Sequence, residues 1–330
     1  MSKPMTYWSV SSQVLKEEAE KLGLEVKVLV PEKNLFFIKG KDKEVLFKST
    51  DFWANSALGK KITDDKELTY KLLERYGAPI AKTFYIHNHE FQNFDWIKLS
   101  EFHFPVIIKP IDEAHGNGVC MNIVSISELQ KKLRLSFADY AKMIVQEQIS
   151  GDECRVLVVL WEVIVGLHRV PPFIISNGKS TLHELIDNEN KTNPLRQQNY
   201  SAPLSLIKED SELVDYVSKQ GYSMDDVIPL NTRLQLRWNS NLGTGWTIID
   251  ITEMLHEDTK KLCISIAEKF QLGICGVDIL SSDFSKPLSE TGWVILEINS
   301  TPWIGWDREL TSVNTGREIL KKIFHLEPAE

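Results

Sequence analysis

Ile274-Cys275-Gly276-Val277-Asp278-Ile279-Leu280, followed after a polar break by Leu296-Glu297-Ile298-Asn299, sets oxygen-bearing side chains inside two otherwise apolar runs. Both runs read as strands. Side chains alternate between the faces of a strand, so Glu297 and Asn299 share one face while Leu296 and Ile298 pack on the other. Two carboxylates and an amide oxygen converging on one side of a sheet suit Mg²⁺, a hard cation that takes a few protein oxygens and completes its shell with phosphate oxygens. The competing reading is an edge strand whose acids are solvated.

Composition narrows the partners. The chain has 330 residues, 42% of them hydrophobic, enough for about two domains with a sizeable core. Its net charge of −8, from 46 acidic and 38 basic residues, leaves no footprint for a nucleic-acid backbone. Cys120, Cys154, Cys263 and Cys275 show neither a CxxC pair nor metal spacing, and read as reduced core thiols. No apolar signal segment opens the chain and no apolar run is long enough to span a bilayer, so a cytoplasmic protein without membrane contact is expected.

Outward from the quoted strands, a helix around Val14, Leu15, Ala19 and Leu22 ends at Gly23, and strands follow over 26–30, 35–38 and 45–47. A helix over 64–76 sets Leu68, Leu72, Leu73 and Tyr76 on one face, with Lys66 in its first turn and Gly77 and Pro79 as stops. A strand over 104–109 ends on Lys109 and leads through Gly116-Asn117-Gly118 to a strand over 120–124. Ser127 with Gln130 reads as a capping box for a helix running to about Asp139. After a strand from Met143 and a connector over 147–151, a hairpin turns at Trp161-Glu162. A loop and helix over 176–190 are followed by a polar, irregular segment over 191–230, a candidate lid. The strand over 232–238 alternates, placing Arg233, Gln235 and Arg237 on one face beside the metal strands, and a strand over 247–251 and a helix over 258–270 complete the pattern.

Several side chains carry candidate chemistry. Glycines let backbone N–H groups close over phosphate oxygens, and Lys109 beside such a loop supplies the charge; a plain hairpin turn is the alternative. The loop joins two strands, and neither GxxxxGK[ST] nor a GxGxxG loop opening a helix occurs. Lys66 is either a phosphate ligand or solvated. Arg237 offers a counter-charge for a transferred phosphoryl group, or forms a salt bridge on a solvated face. Arg155 and Arg169 offer bidentate contacts to a substrate carboxylate, or Arg155 pairs with Glu153 or Glu162. His256 reads as a general base or as a helix cap. No hydroxyl or thiol sits in an elbow-like turn, which excludes a Ser-His-Asp or Cys-His nucleophile.

In order and spacing these segments resemble the ATP-grasp superfamily, most nearly the ATP-grasp portion of cyanophycin synthetase and the related glutathione-forming and D-alanine-D-alanine ligases. The likeness rests on Asp65-Lys66-Glu67-Leu68-Thr69, Phe104-Pro105-Val106-Ile107-Ile108-Lys109-Pro110 with His115-Gly116-Asn117-Gly118-Val119, Gly151-Asp152-Glu153-Cys154-Arg155, Leu236-Arg237 with Asn241-Leu242-Gly243-Thr244-Gly245, and the quoted strands. It implies an α/β fold of two α+β lobes enclosing a nucleotide cleft. A small N-terminal subdomain would occupy 1–60, a central lobe with the glycine loop 61–145, and a C-terminal lobe with the metal and substrate site 146–330.

The resemblance further implies that Lys66, Lys109 and the loop His115, Gly116, Asn117 and Gly118 hold the ATP phosphates. Gln146, Glu147 and Ile149 would meet adenine, and Glu153 the ribose. Asp278, Glu297 and Asn299 would carry two Mg²⁺ ions, with Mn²⁺ as a substitute. Arg237, Lys109 and Asn241 would be catalytic, and Arg155 and Arg169 would bind substrate. The implied activity is ATP-dependent amide or peptide bond formation through an acyl phosphate, from a carboxylate and an amine of amino-acid or short-peptide class. A small-molecule kinase of the same fold and a non-catalytic nucleotide-binding regulator are the alternatives, and a homodimer is the default assembly. Asp278→Ala or Glu297→Ala is expected to abolish turnover with the fold intact. The chain departs from its likeness at Thr301-Pro302-Trp303-Ile304-Gly305-Trp306-Asp307 and at Trp246, which bring bulk toward the acceptor pocket.

Overall fold

Ser9 opens the first helix of the computed structural model, which describes residues 8–111, 118–197, 203–238, 245–305 and 307–326. Its hydroxyl accepts from the Ser12 amide and starts α1 (Val10–Lys21), which buries Val14, Leu15 and Ala19. β1 (Glu25–Val30), β2 (Leu35–Lys39) and β3 (Glu44–Lys48) then form an antiparallel sheet in that order, close to the three expected strands.

α2 (Ala57–Thr63), which the pattern did not mark, precedes α3 (Lys66–Arg75), capped by the Asp65 carboxylate. The buried face of α3 is Thr69, Tyr70 and Leu73, whereas the expected Leu68 and Tyr76 are exposed. Lys66 shares the buried face because 66, 69, 70 and 73 follow the helical repeat. β4 (Thr83–His87), β5 (Val106–Pro110), β6 (Cys120–Ile123) and β7 (Lys142–Glu147) make an antiparallel sheet ordered β4-β7-β5-β6. α4 (Ile126–Ser136) buries Leu129 and Leu133 in a core shared with Ile86, Val106 and Ile108 of that sheet. Its cap is Ser125, which accepts from Glu128 N at 3.3 Å, so the expected Ser127–Gln130 box is displaced by two residues. Ser125 is the last extended residue, and Ser127 already lies inside the helix.

β8 (Asp152–Val159) turns into β9 (Glu162–Val170) through Leu160 and Trp161, one residue ahead of the expected turn. β10 (Phe173–Ile175), α5 (Leu182–Thr192), β11 (Arg196–Gln197), β12 (Leu204–Ser205), α6 (Ser211–Lys219), β13 (Arg233–Gln235) and β14 (Thr247–Asp250) follow. The chain closes with α7 (Glu257–Lys269), β15 (Ile274–Ser281), β16 (Trp293–Asn299), α8 (Asp307–Leu310) and α9 (Thr315–Phe324). Among the described residues no helix is long and apolar enough to cross a membrane.

Contacts group the chain into two units, one from 1–50, 164–253 and 303–330, the other from 51–163 and 254–302. The first unit holds the β1–β3 sheet, α1 packed on α9, the β9–β14 and β10–β13 antiparallel pairs, and the parallel β11–β12 pair. The 191–230 segment is not irregular throughout. α6 buries Leu213 and Val217 in a core with Ile174, Leu182, Ile186, Ile207, Ile228 and Leu234, at roughly 1.5–3 kcal/mol for each large side chain withdrawn from water. The second unit holds the β4–β7 sheet and, separately, β15 paired antiparallel with β8 on one side and β16 on the other. α7 packs against β8 and β15 and buries Cys263, Ile266 and Ala267. With Cys154 and Cys275 it forms a thiol cluster in the core, where burial pushes Cys275 up to about 12 and Cys263 well above its ordinary value.

Candidate functional site

Asp278 lies opposite Arg155 of β8 and, on its other side, opposite Glu297 of β16. Cross-strand partners and residues two apart share a face, so Glu153, Arg155, Gly276, Asp278, Glu297 and Asn299 all stand on one side of these three strands. The other side presents Cys154, Val156, Val277, Ile279 and Ile298, all buried.

Asp278 is 2% exposed. Arg155 grips it with two charge-assisted hydrogen bonds, Nε to Oδ1 at 2.7 Å and Nη2 to Oδ2 at 2.6 Å. Gly276 gives the guanidinium stem room: a Cβ there would come within 3.3 Å of Arg155 Cδ and of Pro302 Cβ. Asn299 Nδ2 donates to Asp278 Oδ2 at 3.4 Å, which leaves its Oδ1 for another partner. Among the described residues the Glu297 carboxylate has no hydrogen-bond or ion-pair partner. Burial, and then the facing Asp278 charge, hold Glu297 above the ordinary carboxylate range, against the pull of Arg155, Lys66 and Lys109.

Those two lysines are held within the same unit. Lys109, on β5, donates to Tyr70 Oη at 2.7 Å and lies 5.1 Å from the Tyr70 ring centre. Tyr70 Oη in turn donates to Leu296 O at 2.8 Å. That carbonyl is offered by a β-bulge: Asp278 pairs with Glu297 and Ile279 with Ile295, so Leu296 is the extra residue of β16. The expected strict alternation is broken at this point, and Leu296 is only half-buried. Lys66 donates to Ile111 O at 3.3 Å, and its helix is tied to β7 by a Glu67–Lys142 ion pair. Tyr70 and the Glu67–Lys142 pair escaped the sequence reading, although Tyr70 stands one helical turn beyond Lys66.

His115, Gly116 and Asn117 of the glycine loop lie outside the described residues, as does the catalytic candidate Asn241. Gly118 has φ +69°, and a Cβ there would lie 2.6 Å from Pro110 Cγ and 2.7 Å from Tyr140 Oη, so any other residue would be strained and would force those side chains to shift. In the connector, Gln146 is buried and its amide donates to Thr83 Oγ1 at 2.8 Å. Glu147 donates its N–H to Lys82 O at 3.0 Å, and its carboxylate accepts from His103 N at 2.8 Å. Ile149 is different: among the described residues neither its N–H nor its C=O has a protein partner.

Of the remaining candidates, Arg237 and Arg169 belong to the other unit and His256 to this one. β13 pairs with β10, so Arg237 does not emerge from a strand beside β15 and β16 as expected. Nor is it on a solvated face: it is 0% exposed, held by Asp210 at 2.7 Å, Glu212 at 3.0 Å and the Lys208 carbonyl at 2.8 Å. Its Nε has no partner among the described residues. Arg169, on β9 next to the β8 strand that carries Arg155, has its guanidinium carbon 5.8 Å from the centre of the Trp246 ring. His256 caps α7 by accepting from Asp258 N, as the second reading had it.

A family model described as RimK-like ATP-grasp domain matches residues 63–183 and 227–323. Cyanophycin synthetase of Synechocystis is 34% identical over 248 residues, which are 74% of this chain and 28% of that protein. The glutathione biosynthesis bifunctional protein of Clostridium perfringens is 28% identical over 301 residues, 89% of this chain and 38% of that one. The crystal structure of a bifunctional glutathione synthetase from Pasteurella multocida superposes with a TM-score of 0.71 at 23% identity, covering 96% of this chain and 44% of that one. The chain thus spans well under half the length of these curated relatives.

Proposed function

The chain belongs to the RimK-like ATP-grasp family, whose members use ATP and a divalent metal ion, and on that footing we propose that it is an ATP-dependent carboxylate-amine ligase. It joins an acid and an amine of amino-acid or short-peptide class. A carboxylate oxygen attacks the γ-phosphorus of ATP and ADP leaves; the amine then attacks the acyl carbon and expels phosphate, leaving an amide.

One observation carries this reading: two facing carboxylates and an amide on a single sheet face, with two lysine charges acting on the same Glu297. A hard divalent cation fits this donor set, because Glu297 is a buried carboxyl group with no guanidinium of its own and, among the described residues, the Asn299 amide oxygen has no partner. Asp278, Glu297 and Asn299 would hold Mg²⁺, two ions on the family pattern, or Mn²⁺ in its place. The ion supplies charge neutralisation for phosphate oxygens.

The chain's own residues do the rest. Lys66 and Lys109 bind phosphate oxygens, and Tyr70 fixes the Lys109 ammonium. By the family likeness, His115, Gly116, Asn117 and Gly118 would contribute phosphate contacts. The unpartnered main chain of Ile149, beside Gln146 and Glu147, receives the adenine edge, and Glu153, on the same face as Asp278, receives the ribose hydroxyls. Arg155 anchors Asp278 in place of its expected role on substrate. By the same likeness Arg237 and Asn241 would answer the negative charge on phosphate and on the oxyanion of the tetrahedral intermediate, and Arg169 would take the substrate carboxylate; Arg237 is itself engaged by Asp210 and Glu212.

The test is ADP release from Mg²⁺ and ATP with panels of amino acids and short peptides offered as acid and amine, with products weighed by mass spectrometry. A matched pair should raise ADP release well above background and yield a product lighter than its components by one water. No stimulation by any pair, or a phosphorylated product alone, overturns the ligase reading.

A further inference from the structure

Trp53, Asn55, Trp161, Glu268 and Gln271 line a cavity of about 450 Å³ whose walls all belong to the second unit. The main chain fixes the frame. Ser56 N donates to Gln271 O at 2.9 Å, Gly273 N to Ala54 O at 3.1 Å, and Leu160 N to Gly273 O at 2.6 Å. The Asn55 amide ties the same wall inward, to Ser300 O and Ile274 N, each at 2.8 Å.

The lining chemistry is unusual for a surface. Trp53 is 67% exposed and Trp161 45% exposed, so two large aromatic faces stand in water. Trp161 lies at φ +63° and Leu160 at φ +46°, in a two-residue turn where Asn or Gly would sit without strain. Packing does not call for an indole there, since nearly half of it is exposed. Gln271 has φ +56° as well, so strained backbone stands on both sides of the cavity. Among the described residues the Glu268 carboxylate, the Gln271 side-chain amide and both indole N–H groups have no partner in the protein.

We propose that the Trp53–Trp161–Glu268 cavity binds a small organic cation, a guanidinium or ammonium group on a short aliphatic stem. Aromatic faces carry negative potential and attract a cation within about 6 Å of the ring centre, guanidinium most readily by stacking. Glu268 supplies the neutralising charge and acceptors, and the Gln271 amide adds one more acceptor. An anion is repelled by Glu268, and a neutral ligand leaves that carboxylate unanswered. The volume falls in the range of small-ligand sites and suits one cationic head with its stem. This site is separate from the residues assigned to ATP and metal, and its test does not depend on them.

The test is a ¹H–¹⁵N titration of the indole resonances with L-argininamide, against L-citrullinamide as the neutral isostere, with Trp53→Phe and Trp161→Phe giving the assignments. The Trp53 and Trp161 resonances should move together and saturate with a Kd on the order of a millimolar. Glu268→Gln should weaken binding about tenfold or more, as expected for loss of a charge-assisted contact. Trp161→Gly, which the turn accepts without strain, should keep the fold and abolish the response. An equal response to L-citrullinamide, unchanged affinity in Glu268→Gln, or no saturable shift overturns the proposal. So does a concentration-dependent shift without ligand accompanied by dimer in sedimentation, because the cavity would then be a contact between two copies.

Discussion

Neutralising the two facing carboxylates should change stability in opposite directions, although both changes should stop turnover. Asp278→Asn leaves the Arg155 guanidinium, only 15% exposed, without its counter-charge. Removing one partner of a buried pair costs about 3–5 kcal/mol, and the low end applies because an amide oxygen can still accept from Nε. At roughly 2–4 °C per kcal/mol for a unit of this size, Tm should fall by about 6–12 °C. Glu297→Gln removes a like charge directly opposite Asp278 and should leave stability unchanged or raise it by about 0.5–1 kcal/mol. The measurement is urea and thermal unfolding at pH 7.5 in EDTA, so that no cation bridges the pair. The pH dependence has a definite sign. Glu297 is raised above 4.5 in the fold, so the native state is favoured below that value and loses this contribution as pH climbs through the folded pKa. The Glu297→Gln advantage should therefore be present at pH 7.5 and gone near pH 4. Equal destabilisation by both variants at pH 7.5 would refute the assignment of Arg155 to Asp278 and the crowding of Glu297.

Tyr70→Phe removes the hydroxyl that links Lys109 to the Leu296 carbonyl; it should cost about 1–2 kcal/mol in urea unfolding and raise KM for ATP more than it lowers kcat, and an unchanged KM would separate Tyr70 from the site. The double variant Asp210→Asn, Glu212→Gln strips both carboxylates from the buried Arg237, whose partners are themselves 47% and 46% exposed; a loss of about 1–3 kcal/mol is expected after allowing for that exposure, and a change below about 0.5 kcal/mol would show that Arg237 is not held by this pair.

Local periodicity made the two metal-candidate strands legible, since Glu297 and Asn299, two residues apart, mark one face and Asp278 stands alone in an apolar run, whatever the strands pair with. What β15 pairs with was not legible. Arg155 and Asp278 are 123 residues apart, and only the register of β8 against β15 makes them neighbours. The same reason hid the Leu296 bulge, whose carbonyl is taken by Tyr70, 226 residues away. α6 was missed because Leu213 and Val217 are its fully buried positions amid Glu212, Asp215 and Lys219, a stripe too short to stand out. The α3 face was misjudged by counting apolar residues. Lys66 and Thr69 share the inward stripe with Tyr70, so the polar members of that face carried the information.

An arginine locked onto a metal-candidate carboxylate looks at first like an obstacle to cation binding, but the charge arithmetic of the row says otherwise. Without Arg155, Asp278 and Glu297 would face each other as two buried like charges, a costly arrangement for any state lacking a cation. With it, the Asp278–Arg155 pair is neutral and Asp278 is held rigid by two bonds. Asp278 Oδ2 accepts from Arg155 at 2.6 Å and from Asn299 at 3.4 Å, so an ion at that oxygen would displace the long Asn299 contact rather than the guanidinium. Glu297 is then the group left with an unanswered charge, and the proton is its competitor for a cation. On the proposed function the row divides its work: Asp278 sets the position and Glu297 supplies most of the gain on binding. Metal affinity should accordingly follow the ionisation of Glu297 rather than that of Asp278.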